Sequence, residues 1–168
     1  ASMKLHTVEK RTIRKYFPLY NQEIIFKDTN IKFTKFKSDQ IMNLNGLIKL
    51  NDQFDSFEIK NKYNSNNKSF DIKVIADLTN STVNISKLNY LKNHGKKSEL
   101  NFDINFILDK HYHIRSLKFL TDKSKIYLSN VKLNKNFETV DFERLEIRTF
   151  FNEIKNNDFS INKSANII

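Results

Sequence analysis

Between Leu100 and Leu108 an apolar residue falls on every second position: Leu100, Phe102, Ile104, Phe106 and Leu108. The positions between are Asn101, Asp103, Asn105 and Ile107. A period of two places the first set on one face of a β-strand and the second set on the other. Phe70, Ile72, Val74, Ala76 and Leu78 repeat the pattern, and shorter versions occur at Ile31/Phe33, Ile48/Leu50, Ile126/Leu128, Val140/Phe142 and Leu145/Ile147. The alternation predicts strands over 23–27, 30–36, 41–50, 54–62, 69–78, 82–90, 98–108, 111–119, 124–133, 138–148 and 158–162. Polar turns separate them, which is the signature of an antiparallel meander. One short helix is expected, over 6–17, where Val8, Ile13, Tyr16 and Phe17 share a face and Pro18 would end it; Thr7, Thr12 and Ile13 also suit a strand.

Such a chain is all-β, with one greasy face that has to be covered. A closed barrel or a sandwich would cover it with protein; an open, curled trough would cover it with lipid chains. The face is almost uniformly Phe, Ile and Leu, with few small residues to allow close approach of a second sheet. We therefore expect a curled antiparallel meander forming an open groove, with the barrel or sandwich as the alternative. The expected lining is Phe70, Ile72, Val74, Leu100, Phe102, Ile104, Phe106, Leu108, Ile126 and Leu128. Ile75 and Ile107 fall on the polar face of their strands and are expected to touch a packed element there.

At 168 residues, residues 1–168 make a single domain-sized unit. There are 15 Phe, no Trp, two Gly and one Pro, so Asn and Asp must build the turns, as at Asn51-Asp52, Asn64 to Asn67, Asn93-His94-Gly95 and Asn156 to Asp158. The net charge of +10 favours anionic partners. The lysines are scattered, however, with no basic run longer than two residues, so a solvated Lys-rich surface is the plainer reading. Without cysteine there is neither disulfide nor thiolate chemistry. No stretch approaches the roughly 20 apolar residues of a membrane-spanning helix, and no signal peptide is visible. Ala1-Ser2-Met3 reads as a tag remnant and Ala165 to Ile168 as the start of a strand, so the chain is expected to be a piece of a larger protein.

Catalytic constellations are not expected. Asp109, His111 and His113 alternate like a partial metal-ligand set, but Lys110 among them points to a polar turn. No nucleophile-base arrangement or phosphate-cradling glycine loop occurs, so no enzyme activity, metal or cofactor is expected. Asn67-Lys68-Ser69 and Asn80-Ser81-Thr82 match the glycan acceptor pattern, as chance allows at this Asn content. Nucleic-acid binding would need stacking aromatics among the cations. Most Phe instead share register with Ile and Leu, leaving Tyr112 and Tyr127 as exceptions, so nucleic acid is not the expected partner.

The run from Ala76-Asp77-Leu78-Thr79 through Val83, Ile85, Tyr90, Lys92 and Gly95 to Leu100-Asn101-Phe102 resembles a pattern in the large AsmA-like proteins of Gram-negative envelopes, in particular the YhdP-type members. That pattern is ADLT, a hydrophobic alternation, an aromatic, K..G, then a strand. The order continues through Ile114, Leu117 and Phe119, Val131 to Asn134, Phe142 and Leu145 to Ile147, covering residues 70–162. The family often has Trp where Tyr90 stands, and more Gly and Pro. The resemblance implies a protein of the periplasm, its parent anchored in the inner membrane, whose repeated strands form a groove that carries phospholipid between the inner and outer membranes. Partners would be phospholipid acyl chains, the membrane through other parts of the parent, and further copies meeting edge to edge. Two other functions fit a strand-rich chain: a structural or adhesive module of a repetitive envelope protein, and a nucleic-acid-binding barrel.

Overall fold

The computed structural model describes residues 2–6, 16, 23–50, 53–108, 110–151 and 154–163. Ten strands form one antiparallel sheet in the order β1 (Ser2–His6), β2 (Glu23–Phe36), β3 (Asp39–Lys49), β4 (Phe54–Asn64), β5 (Ser69–Asp77), β8 (Ser98–Ile107), β9 (His111–Thr121), β10 (Lys125–Asn134), β12 (Arg144–Phe151) and β13 (Ile154–Asn162). β11 (Thr139–Asp141) pairs with the far end of β10, beyond the stretch paired with β12. The remaining pair, β6 (Val83–Ile85) and β7 (Tyr90–Lys92), forms a small hairpin inserted between β5 and β8. The sheet is not closed into a barrel; it is an open, curled meander, as the alternation predicts.

Side chains that pair directly across strands share a face. Following the pairing from strand to strand therefore sorts the inner face into rows. The first row runs Gly46, Phe57, Ala76, Leu100, Phe119, Ile126, Ile147. It forms the core with Phe26 and with Leu78, Val83 and Tyr90 of the inserted segment. Phe26 meets Phe57 edge-on at 5.4 Å, and Tyr90 meets Phe119 edge-on at 6.1 Å. The outer face is polar. Arg115 bridges Asp71 at 2.7 Å and Asp103 at 2.5 Å, Lys73 reaches Asp103 at 3.3 Å, and Lys125 pairs with Glu146 at 2.9 Å. Exposed pairs of this kind contribute about 0–1 kcal/mol each; they fix which face stays wet more than they hold the sheet.

Irregular positions bend the strands. In β2 the register slips between Lys27 and Asn30, and Asp28 adopts a left-handed φ of 50°. Against β8, the register of β9 shifts between Asp103 and Ile104, and Asn130 of β10 has a φ of 50°. A bulge bends its strand and increases the local twist, which gives the sheet its curl. Each irregularity also changes the parity of the inward positions: Phe26 gives way to Ile31, Ile114 to Leu117, and Leu128 to Val131.

Several expectations are corrected. Residues 23–27 and 30–36 are one strand crossing a bulge. The strand expected at 82–90 is instead β6, a 3-10 turn at Ser86–Leu88 and β7, off the main sheet. Ser2 and Met3 belong to β1, paired with Lys27 and Phe26. The expected N-terminal helix falls almost wholly outside the described residues: His6 ends β1, and of the rest only Tyr16 is described, in a helical conformation. Ile75 is half exposed and so does not pack as expected; Ile107 is partly buried, paired with Ser69 and His111.

Candidate functional site: an apolar groove across the sheet

The second inward row is apolar at every position across nine strands. Ile31, Leu44 and Ile59 lead to Val74, Phe102 and Leu117, and then to Leu128, Leu145 and Ile161. Eight strand spacings of about 4.8 Å give a length of roughly 38 Å. Its inner members are half-buried, and its ends are open, Ile31 being 61% and Ile161 47% exposed. Beside it runs a third row, Phe33, Met42, Asn61, Ile72, Ile104, Ile114 and Val131, in which Asn61 alone is polar. Together the two rows form an apolar strip from the β2 edge to the β13 edge.

One side of the strip is walled by the inserted segment, which lies over the first row and reaches both flanks of the sheet. On the β4 flank, Asn80 N–H donates to Asp55 Oδ1 at 2.8 Å, and the Ser81 hydroxyl donates to Asp55 Oδ2 at 2.6 Å. On the β13 flank, Asn157 Nδ2 donates to Leu88 O at 2.7 Å and Asn156 Nδ2 to Asn89 O at 2.9 Å. Between them, the buried Lys92 ammonium donates to the carbonyls of Leu78, Thr79 (2.9 Å) and Ser81 (2.6 Å). Burial pushes the Lys92 pKa down and the Asp55 pKa up, each charge partly compensating the other. Burial likewise raises the pKa of the Tyr90 phenol. These groups hold the wall in place.

The other side of the strip ends in an aromatic row, Tyr63, Phe70, Phe106 and Tyr112. Neighbouring ring centroids are 4.7, 5.0 and 5.6 Å apart, and Phe137 of the β10–β11 turn continues the stack at 4.5 Å from Tyr112.

The expected lining residues distribute across these rows. Val74, Phe102 and Leu128 lie in the second row, Ile72 and Ile104 in the third, Phe70 and Phe106 in the aromatic row. Leu100 and Ile126 share the inward face but lie in the first row, with the core beneath the inserted segment. Leu108 is in the β8–β9 turn and 57% exposed, so it does not line the groove. Ile31, Leu44, Ile59, Leu117, Leu145 and Ile161 complete the strip and were not on the expected list. For Ile31 and Leu117 the missed signal is the change of parity within a single strand, Phe26 to Ile31 for example, which marks a bulge without changing the face.

Other expected positions also find partners. His113 Nε2 lies 3.2 Å from Asn130 Oδ1, His111 is exposed, and Asp109 falls outside the described residues. Tyr112 is an inward ring of the aromatic row. Tyr127 is on the outer face between Lys125 and Arg144, both of which are ion-paired with Glu146. The Lys125 contact, with burial opposing it, holds the Glu146 carboxyl below its ordinary range. No family model, curated protein or solved structure matches the chain.

Proposed function

We propose that this chain is a lipid-conducting segment of an AsmA-like protein of the periplasm, its groove carrying phospholipid acyl chains between inner and outer membranes. The observation that carries the reading is the second inward row: nine apolar side chains in unbroken succession, half-open to solvent, with both ends exposed. At roughly 38 Å the row exceeds the span of one leaflet's chains, about half of a 30 Å hydrocarbon core. It suits passage of chains better than storage of a single one. Each methylene laid on it contributes about 0.8 kcal/mol, and no catalytic group is required.

Purification without detergent, followed by extraction and mass spectrometry, should recover phospholipid with the wild-type chain. Ile104→Asp places a carboxylate in the half-buried third row, where solvent still reaches it. The expected result is loss of co-purifying lipid with the β-rich circular dichroism spectrum retained. An Ile104→Asp chain that unfolds, beside a wild type that never carries lipid, would mean a dry core and favour the structural module.

The groove reading extends to the strand edges. Among the described residues, β13 pairs only with β12, and β1 covers only Glu23–Lys27 of β2, so Asp28–Phe36 has no described partner on that side. Unpaired strand edges are templates for another strand, and here they carry the exposed ends of the apolar row. Lys32, Lys35, Lys155 and Lys163 on or beside these edges oppose close approach at low salt. Light scattering over a concentration series should therefore show reversible association that strengthens with salt; a monomer at every concentration and salt level would remove edge pairing as a means of extending the groove.

A further inference from the structure

The two sides of the groove differ, and the difference identifies where the polar end of a bound lipid lies and what charge it carries. The inserted segment lies along one side as a wall over the first row; its Lys92 is buried and bonded to three carbonyls, and its exposed lysines are Lys87, Lys96 and Lys97. On the opposite side the surface grades outward in three steps. Aliphatic rows give way to the aromatic row, and the aromatic row gives way to four hairpin turns. Each of those turns carries one exposed lysine: Lys37, Lys68, Lys110 and Lys135. Tyr63 and Tyr112 end in a hydroxyl, and such rings settle where apolar material meets water; cations beyond them attract anionic headgroups.

We infer that this lysine-bearing rim is a headgroup site that selects acidic phospholipids, the acyl chains lying in the groove with the headgroup directed over the aromatic row. The inference rests on the lipid reading above. Asp39 is held by Lys62 at 2.8 Å, and the four turns carry four lysines against Asp109 and Glu138, which leaves the rim net positive; Glu138, which accepts a hydrogen bond from the neutral amide of Asn134 at 2.7 Å, keeps its charge. The Lys62 hydrogen bond, together with that from Asn64, keeps the Asp39 carboxyl below its ordinary range and so ionised within its own pair. Lys37 rests over the Phe36 ring at 5.4 Å, which leaves its ammonium at the surface.

The test is composition-resolved loading. The purified chain is incubated with vesicles of equal phosphatidylglycerol and phosphatidylcholine, separated from them, and its bound lipid weighed by mass spectrometry. The expected wild-type result is enrichment of phosphatidylglycerol about fivefold over the vesicle ratio, the scale of one lysine at an anionic lipid surface. The variant Lys37→Gln, Lys68→Gln, Lys110→Gln, Lys135→Gln should return the bound ratio to that of the vesicles. A control variant on the other side, Lys87→Gln, Lys96→Gln, Lys97→Gln, removes three exposed charges from the inserted segment and should keep the enrichment. Wild-type loading without enrichment, or equal loss in both variants, overturns the headgroup site while leaving the groove reading intact. No lipid on any of the three chains overturns both.

Discussion

Lys92→Met should cost roughly 3 kcal/mol or more of folding stability, because three buried carbonyls lose their donor at about 1–3 kcal/mol each. The substitution keeps the aliphatic stem but removes the ammonium. The carbonyls of Leu78, Thr79 and Ser81 then lose their donor within a segment where Lys92 is 3% exposed. Asp55, 2% exposed, also loses its nearest compensating cation. Against a total stability of about 5–15 kcal/mol, this is enough to bring the chain close to unfolding. Urea denaturation followed by circular dichroism reads the effect as a lower midpoint. A midpoint equal to wild type would show that water replaces the ammonium and that the segment is not held in this way.

The same side chain explains the most distinctive stretch of the sequence. Lys92 and Gly95 both serve the turn at Leu78 to Ser81. Lys92 binds its carbonyls, and Gly95 N–H donates to Thr79 O at 2.9 Å with Gly95 at a φ of +77°. The alternation Val83, Ile85 reads as a continuing strand because the side chains do face the core. What the alternation lacks is the backbone side of the account. The segment leaves the sheet because its carbonyls and N–H groups find partners in Lys92 and Asp55, and Asp55 is 25 residues from Asn80. Such pairings leave no periodic trace.

Legibility elsewhere follows the same line. Period-two alternation identified the strands because each strand contributes one wet and one greasy face, and Val74, Ile72 and Phe70 share the inward face with Phe102, Ile104 and Phe106; that they pair directly was not legible, because a strand was expected over 82–90 between them. The continuous row across nine strands was harder to see. It passes through strands whose inward parity changes at a bulge, so a fixed odd or even count loses Ile31 and Leu117. Leu108 shows the converse error. It continues the alternation perfectly, but β8 ends at Ile107, and the next residue belongs to the turn.

Gly46→Ala should destabilise more than Gly95→Ala, although Gly95 has the more conspicuous left-handed backbone. Met42, Leu44, Gly46 and Ile48 alternate, so position 46 falls in the first inward row, opposite Phe57. The bulge of β2 crosses here. A Cβ on residue 46 would lie 2.8 Å from Thr29 Cα and 3.0 Å from Asp28 O, both backbone atoms that cannot rotate aside. Relief requires moving the bulge, and overpacking of this sort costs roughly 1–3 kcal/mol; with backbone on both sides the upper end is expected. At Gly95 a Cβ meets nothing within 4 Å, so Ala there carries only the strain of its φ, about 1 kcal/mol. The bulge matters beyond stability because it decides which face Ile31 and Phe33 occupy. A slip of one residue in β2 would turn both outward and remove the β2 end of the apolar row. Gly46→Ala should therefore lower the urea midpoint further than Gly95→Ala and, in the fraction that folds, reduce co-purifying lipid. Equal midpoints for the two variants would show that β2 accommodates the methyl without moving its bulge.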